Sequence, residues 1–306
     1  MAWTTKDMPS QAGRLAIVTG ANAGLGYETA LALAAAGAKV ILAVRNPAKG
    51  EAAVARIMDQ HRAAKVELEL LDLASLASVR SFARRILVRD EPLDLLINNA
   101  GVMMPPRRET TVDGFELQFG VNYLGHFALT SQLLGPLRRA LGSRVVNLSS
   151  GAHHTGKIDL DDLNWERRPY RPWAAYSQSK LAMLMFAFEL QRRSEAAGWD
   201  LMANAAHPGF ARTELIANGP GLDSLMARLS RPLQGLISQS AADGALPILY
   251  AATAPEAAGG GYYGPSRMFE MIGPPKRADV ASQARNQAVA AKLWAISQQL
   301  TGVGFG

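Results

Sequence analysis

The apolar positions of this chain fall into short uninterrupted runs separated by longer, alanine-rich or amphipathic stretches. The runs lie at Arg14–Thr19, Lys39–Val44, Val66–Leu71, Leu93–Asn98, Arg144–Leu148 and Leu201–Ala206, and each has the length of a strand. Residues apolar at consecutive positions, rather than alternate ones, suit strands buried on both faces. The stretches between them are long enough for helices. The pattern therefore predicts an α/β fold in which a parallel sheet is covered by helices on each side. Right-handed crossovers bring the carboxyl ends of the strands to one edge, the edge where such sheets take a ligand.

No internal repeat or low-complexity tail interrupts the alternation, so residues 1–306 are expected to form a single domain, a doubly wound sheet of the Rossmann type. Three segments depart from the pattern: an irregular insert at about 151–175, a Gly/Pro-punctuated stretch at about 210–240, and a C-terminal extension at about 260–306. Long connections in compact domains commonly act as lids. Leu222, Leu225, Met226 and Leu229 follow helical spacing inside the second segment. That apolar stripe either completes the core or forms a lid over an apolar ligand.

Composition narrows the chemistry. The chain is 48% hydrophobic and 19% charged, ordinary for a globular protein, and has no cysteine, which excludes disulfides and thiolate chemistry. The start, MAWTTKDMPSQAGR, has neither an apolar h-region nor a small-residue cleavage site, and no apolar run reaches the length of a membrane span. A cytoplasmic protein with no membrane anchor is expected. The net charge of +6 admits acidic partners, and Arg167, Arg168 and Arg171 are interleaved with Trp165, Tyr170 and Trp173. No nucleic-acid recognition module accompanies that run, so a solvated face is expected and no nucleic acid. His153 and His154 with Asp159, Asp161 and Asp162 lack regular ligand spacing, so no metal is expected. Local hydrogen bonding is the expectation for His61, His126 and His207.

Three motifs carry chemistry. The first strand runs into Thr19-Gly20-Ala21-Asn22-Ala23-Gly24-Leu25-Gly26 and then a helix, Tyr27–Ala36. Glycines permit a tight turn and close backbone approach, while a helix N-terminus offers free N–H groups to a pyrophosphate. The second strand is followed by Arg45 and, nearby, Lys49, where an acidic residue would bond a ribose 2′-hydroxyl; an arginine fork suits a 2′-phosphate instead. Asp72 follows the third strand, placed for an adenine amino group. Tyr176 and Lys180 sit at i, i+4 on a helix predicted to open at the tyrosine and run to about Ala197. A nearby cation favours the phenolate, so this tyrosine is expected to titrate lower than a free one and to act as acid or base.

Together, TGANAGLG at 19–26, Asn98-Asn99-Ala100-Gly101, Asn122 in VNYLGHF, Ser150, YSQSK at 176–180 and His207-Pro208-Gly209 with Thr213 resemble the short-chain dehydrogenases/reductases. The likeness runs from about residue 13 to 300. VNYLGHF, NLSSGAHH and the long insert before the tyrosine are most similar to retinol dehydrogenases, the WW-domain oxidoreductases and their bacterial relatives. The resemblance implies a catalytic set of Asn122, Ser150, Tyr176 and Lys180. It makes Tyr176 the acid/base, Ser150 the group that orients the substrate oxygen, and Lys180 the ligand of the nicotinamide ribose. Asn122 would hold a water that relays protons from Lys180. Gly20, Asn22, Gly24, Leu25, Gly26, Arg45, Asp72, Leu73, Asn99, Ala100, Gly101, Pro208, Gly209 and Thr213, with Tyr176 and Lys180, would bind NADP(H). The implied activity is an alcohol dehydrogenase or ketone reductase; apolar residues on both approaches to the reacting carbonyl suggest a small-molecule substrate that is a bulky apolar ketone, aldehyde or alcohol, and the chain could form a homo-oligomer. A non-catalytic NADP(H)-sensing or interaction protein on the same fold is the alternative; an intact Asn122/Ser150/Tyr176/Lys180 set argues against it.

Overall fold

The computed structural model describes residues 2–211 and 238–305. Its centre is an eight-stranded sheet of order β3-β2-β1-β4-β5-β6-β7-β8. The strands are β1 Leu15–Thr19, β2 Lys39–Val44, β3 Lys65–Leu70, β4 Leu95–Asn98, β5 Ser143–Leu148, β6 Leu201–Ala206, β7 Tyr262–Arg267 and β8 Ile272–Arg277. All neighbours pair parallel except β7 and β8, an antiparallel hairpin. The order reverses direction at β1, where β2 and β3 continue on one side and β4 on the other. Such a switch point opens a crevice at the carboxyl edge.

Uninterrupted apolar runs form central strands because the sheet is covered on both faces. Leu15 and Ile17 of β1 enter one core and Ala16 and Val18 the other. The first core lies under helices α3 (Leu76–Val88), α5 (Gly125–Gln132), α7 (Pro172–Ala196) and α9 (Gln287–Thr301), and contains Phe82, Phe127, Phe186 and Trp294. The second lies under α1 (Gly24–Ala35), α2 (Pro47–Gln60) and α8 (Ala241–Thr253), around Leu33, Ile57 and Ile248. Short helices α4 (Leu117–Phe119) and α6 (Leu134–Arg139) flank α5, and a π-helical turn, Gly120–Leu124, joins α4 to α5.

Two strands differ from the sequence expectation. β3 is not buried on both faces: Val66 and Leu68 pack on the second core, while Glu67 and Glu69 turn to the other face and pair with Arg85 and Arg89 of α3. It is an edge strand with an ion-paired face, which its alternating KVELEL sequence already encodes. β7 and β8 were hidden by Gly264, Pro265, Gly273, Pro274 and Pro275, residues that depress strand propensity. β8 tolerates its prolines as the outermost strand, with no further strand beyond it among the described residues.

Candidate active site

At the carboxyl edge a cavity of about 460 Å³ opens between the β1–α1 turn, residues 99–101 after β4, Ser149 and Ser150 after β5, α7, and residues 208–211 after β6. One wall is a backbone cradle. Gly20 adopts φ +66°, and a Cβ on it would sit 3.0 Å from Ala100. A Cβ on Gly26 would sit 2.5 Å from the Gly20 carbonyl oxygen, so the helix presses on the turn only because glycine is there. α1 begins at Gly24, three residues before the predicted start. Gly24, Leu25 and Gly26 therefore form its first turn. The N-cap, Ala23, makes no side-chain cap bond, whereas Asn46 caps α2 and Ser75 caps α3. The first N–H groups of α1 are thus left for something else.

Thr19 and Asn99 join this cradle to β4. Asn99 Nδ2 donates to the Thr19 carbonyl at 2.8 Å, and the Asn99 and Ala100 amides both donate to Thr19 Oγ1 at 2.9 Å. Asn99 Oδ1 is buried with no partner among the described residues, an unmet acceptor of the kind a ligand hydroxyl satisfies. Uncapped helix, orphaned acceptor and glycine cradle fit a dinucleotide pyrophosphate with its adjoining ribose.

The opposite wall is made of side chains. Tyr176 and Lys180 lie on α7, which starts at Pro172 rather than at the tyrosine, so Tyr176 sits within the regular helix. Both are buried, at 6% and 3% exposure. Lys180 Nζ lies 5.7 Å from the Tyr176 ring centre and donates to the Leu148 carbonyl at 2.9 Å. Ser149 Oγ donates to the Lys180 carbonyl at 2.8 Å, tying α7 to the end of β5. Burial pushes the Tyr176 phenol up to about 12, with a hydrogen bond from Ser150 pulling the other way. Burial also brings Lys180 down to about 8. The expected lowering of the tyrosine is not seen, because loss of water on burial outweighs what lowers it. At neutral pH the pair is a phenol that keeps its proton beside a mostly charged ammonium.

Asn122 lies wholly buried in the π turn. Its Oδ1 accepts from the Val102 amide at 2.8 Å, and its Nδ2 donates to the Val102 carbonyl at 3.0 Å and to Ser179 Oγ at 2.9 Å. The side chain clamps residue 102 and α7.

Other expected residues lie further out. Arg45 is exposed just past β2, outside the cavity lining, with no ion-pair partner among the described residues. Asp72 Oδ1 accepts from the Ala74 amide at 3.0 Å. Leu73 directs its side chain into the first core and so can offer a ligand only its backbone. Asn22, Leu25, Gly101, Pro208 and Gly209 line the cavity. Thr213 and the proposed lid, with Leu222, Leu225, Met226 and Leu229, lie outside the described residues.

Of the basic and aromatic run before α7, Arg167 and Arg171 are exposed, while Arg168, Trp165 and Tyr170 pack inward. Arg168 pairs with Asp159 and stacks 3.7 Å over buried Trp165, Tyr170 donates to Glu116, and Gln178 ties Arg168 to α7. Trp173 stays half-exposed at the cavity mouth. His153 donates to the Ser150 carbonyl at 2.7 Å and accepts from the Ala281 amide at 3.2 Å. Sequence reading missed Glu270 at the tip of the β7–β8 hairpin, which reaches His207 at 3.2 Å and Lys276 at 2.9 Å. Three successive left-handed residues, Met268, Phe269 and Glu270, aim it there, and no propensity rule anticipates such a turn.

A family model described as short chain dehydrogenase matches residues 14–219. Human retinol dehydrogenase 13 is 46% identical over 300 residues, covering 96% of this chain and 87% of that protein. Mouse polyprenol dehydrogenase is 43% identical, covering 98% and 87%. A crystal structure of an uncharacterized protein from Mycobacterium Paratuberculosis matches all of both chains with a TM-score of 0.82 at 45% identity. A Burkholderia cenocepacia short chain dehydrogenase in complex with NADP aligns with a TM-score of 0.62 at 25% identity, covering 81% of this chain and 93% of that one. Among the described residues no helix is long and apolar enough to cross a membrane. The glycine cradle facing Ser150 and the buried Tyr176 and Lys180 is thus carried by an oxidoreductase that belongs to the short-chain dehydrogenase/reductase family and is similar to the retinol dehydrogenases.

Proposed function

We propose that the chain is an NADP(H)-dependent oxidoreductase interconverting bulky apolar ketones or aldehydes with their alcohols. The observation that carries this reading is the buried Tyr176 phenol, which lines, together with Ser150 and Lys180, the cavity that the glycine cradle closes. When bound, the nicotinamide cofactor supplies or accepts the hydride. The cradle at 20–26 with Asn99, Ala100 and Gly101 binds its pyrophosphate and adenine ribose, and Lys180 reaches the nicotinamide side. Arg45, exposed beyond β2 with no ion-pair partner among the described residues, is available to a 2′-phosphate, in keeping with the NADP held by the Burkholderia cenocepacia relative.

In reduction, Ser150 Oγ and the Tyr176 phenol both donate to the carbonyl oxygen and fix its position. As negative charge develops there, Tyr176 hands over its proton and Ser150 steadies the oxygen. A phenol held near 12 is well stocked with that proton at neutral pH. Lys180, charged below about 8, stabilises the tyrosinate left behind. Met103, Leu148, Trp173 and Phe210 line the approach and keep water from it. Apolar walls add affinity at ~25 cal/mol per Å² of substrate hydrocarbon buried. The similarity to retinol and polyprenol dehydrogenases favours an apolar alcohol as well.

The test is NADPH oxidation followed by absorbance across a homologous ketone and aldehyde series. The reading expects turnover that rises with apolar size. No consumption of NADPH or NADH with any carbonyl, and no cofactor reduction with any alcohol, would leave the sensing alternative standing.

A further inference from the structure

His126 is fully buried on α5 and takes no part in the chemistry described above, yet every polar atom of its ring is engaged. Its Nδ1 lies 2.8 Å from the Asn122 carbonyl oxygen, one helical turn back. A carbonyl can only accept, so Nδ1 carries the hydrogen. Burial, aided by the charge of Lys180, lowers the imidazole to about 4, against the pull of the Asn122 bond, so the ring is neutral and Nε2 is bare. Nε2 lies 2.9 Å from Thr19 Oγ1 and must accept from it. Thr19 has one hydroxyl hydrogen. The Ile97 carbonyl, at 3.3 Å, is the other acceptor within reach, but Nε2 is nearer and has no other donor among the described residues; spent on His126, the hydrogen leaves the lone pairs of Oγ1 for the Asn99 and Ala100 amides, both at 2.9 Å.

The bonds continue on the other side. Asn122 Nδ2 donates to Ser179 Oγ at 2.9 Å, and Ser179 Oγ donates to the Tyr176 carbonyl at 2.8 Å. One chain of hydrogen bonds therefore runs from the backbone of the tyrosine, through Ser179, Asn122, His126 and Thr19, to the two amides beside the cradle. His126 is its middle link and the only side chain in it that bonds both the π turn and β1.

We propose that His126 is a positioning residue that holds the cofactor cradle in register with the Tyr176 helix, through Thr19 Oγ1 on one side and the Asn122 carbonyl on the other. The proposal rests on the function assigned above. Asparagine and glutamine separate the two bonds. Asparagine places an amide N–H near Nδ1 and nothing near Nε2, whereas glutamine places an acceptor near Nε2 and nothing near Nδ1. In His126→Asn, NADPH binding should weaken about tenfold while kcat at saturating cofactor holds within about twofold. In His126→Gln, NADPH affinity should hold within about twofold while kcat falls about tenfold. His126→Leu should lose both. Folded fraction is followed by thermal unfolding, so that rates refer to folded protein. If the asparagine and glutamine variants shift both readouts alike, or neither, the positioning role is wrong.

A second readout does not depend on turnover. The ¹⁵N shifts of the His126 ring in the parent protein should show the Nδ1–H tautomer, with a non-protonated Nε2, at neutral pH. An Nε2–H tautomer would break the chain at Thr19 and overturn the inference even if the enzyme reduces carbonyls well. A parent protein that binds no dinucleotide but keeps the Nδ1–H tautomer would instead count against the proposed function while leaving the hydrogen-bond chain in place.

Discussion

The cradle at 20–26 and the corner around Tyr176 face each other across one cavity, but they are built from different material. The cradle is backbone: two glycine contacts, an uncapped helix end and the amides of residues 99 and 100. The corner is side chain: a serine, a tyrosine and a lysine from β5 and α7, the last two nearly out of reach of water. Backbone donors hold a fixed partial charge at any pH, whereas buried side chains exchange protons and have their titration set by burial. Binding should therefore reside mainly in the cradle and proton transfer mainly in the corner.

Lys180 straddles the division, so its removal should be felt on both sides. Lys180→Ala should cut turnover roughly 10³-fold and weaken NADPH about tenfold, seen by steady-state kinetics beside fluorescence titration. A variant that lost only one of the two would place the lysine wholly in one region. Arg45→Asp probes the cradle side alone. Losing a phosphate contact and adding repulsion should cost about 2–4 kcal/mol, or roughly 30- to 1000-fold, in NADPH relative to NADH. Turnover at saturating cofactor should barely move. Equal affinities for NADPH and NADH in the parent protein would remove the case for a 2′-phosphate at Arg45.

A smaller, graded effect comes from pH and belongs to the corner. Lys180 is lowered by burial to about 8, so its ammonium is present below that pH and lost above it. Tyr176, raised to about 12, keeps its proton throughout. Reduction, measured as kcat/KM, should stay level to about pH 8 and then fall by up to about tenfold per unit. NADPH binding should change far less over the same range. A reduction rate that climbs between pH 8 and 10 would show that the lysine charge is not needed.

The same contrast explains what the sequence disclosed. Glycines at 20, 24 and 26 announce a tight turn wherever they follow an apolar strand, and Tyr176 and Lys180 announce a shared helical face by spacing alone. The central strands were readable because both their faces are buried. Features that depend on distant partners were not. The ionic face of β3 needs Arg85 and Arg89 from α3, and β8 is a strand only because it ends the sheet. The start of α1 was misplaced because glycines argue against a helix until the turn beneath them is known. The raised phenol of Tyr176 followed from burial, which i, i+4 spacing does not report. Even so, His126 stood four residues after Asn122, a spacing that could have suggested its bond to the π turn.

The account turns on Tyr176 acting on the substrate and not on the cofactor, and Tyr176→Phe tests this most directly. The change removes one oxygen from a buried ring and leaves the cradle untouched. NADPH affinity and carbonyl reduction should be measured on the same preparation. The account predicts a dissociation constant within about threefold of the parent and turnover reduced roughly 10³-fold or more. Turnover at the parent rate, with NADPH bound normally, would contradict it.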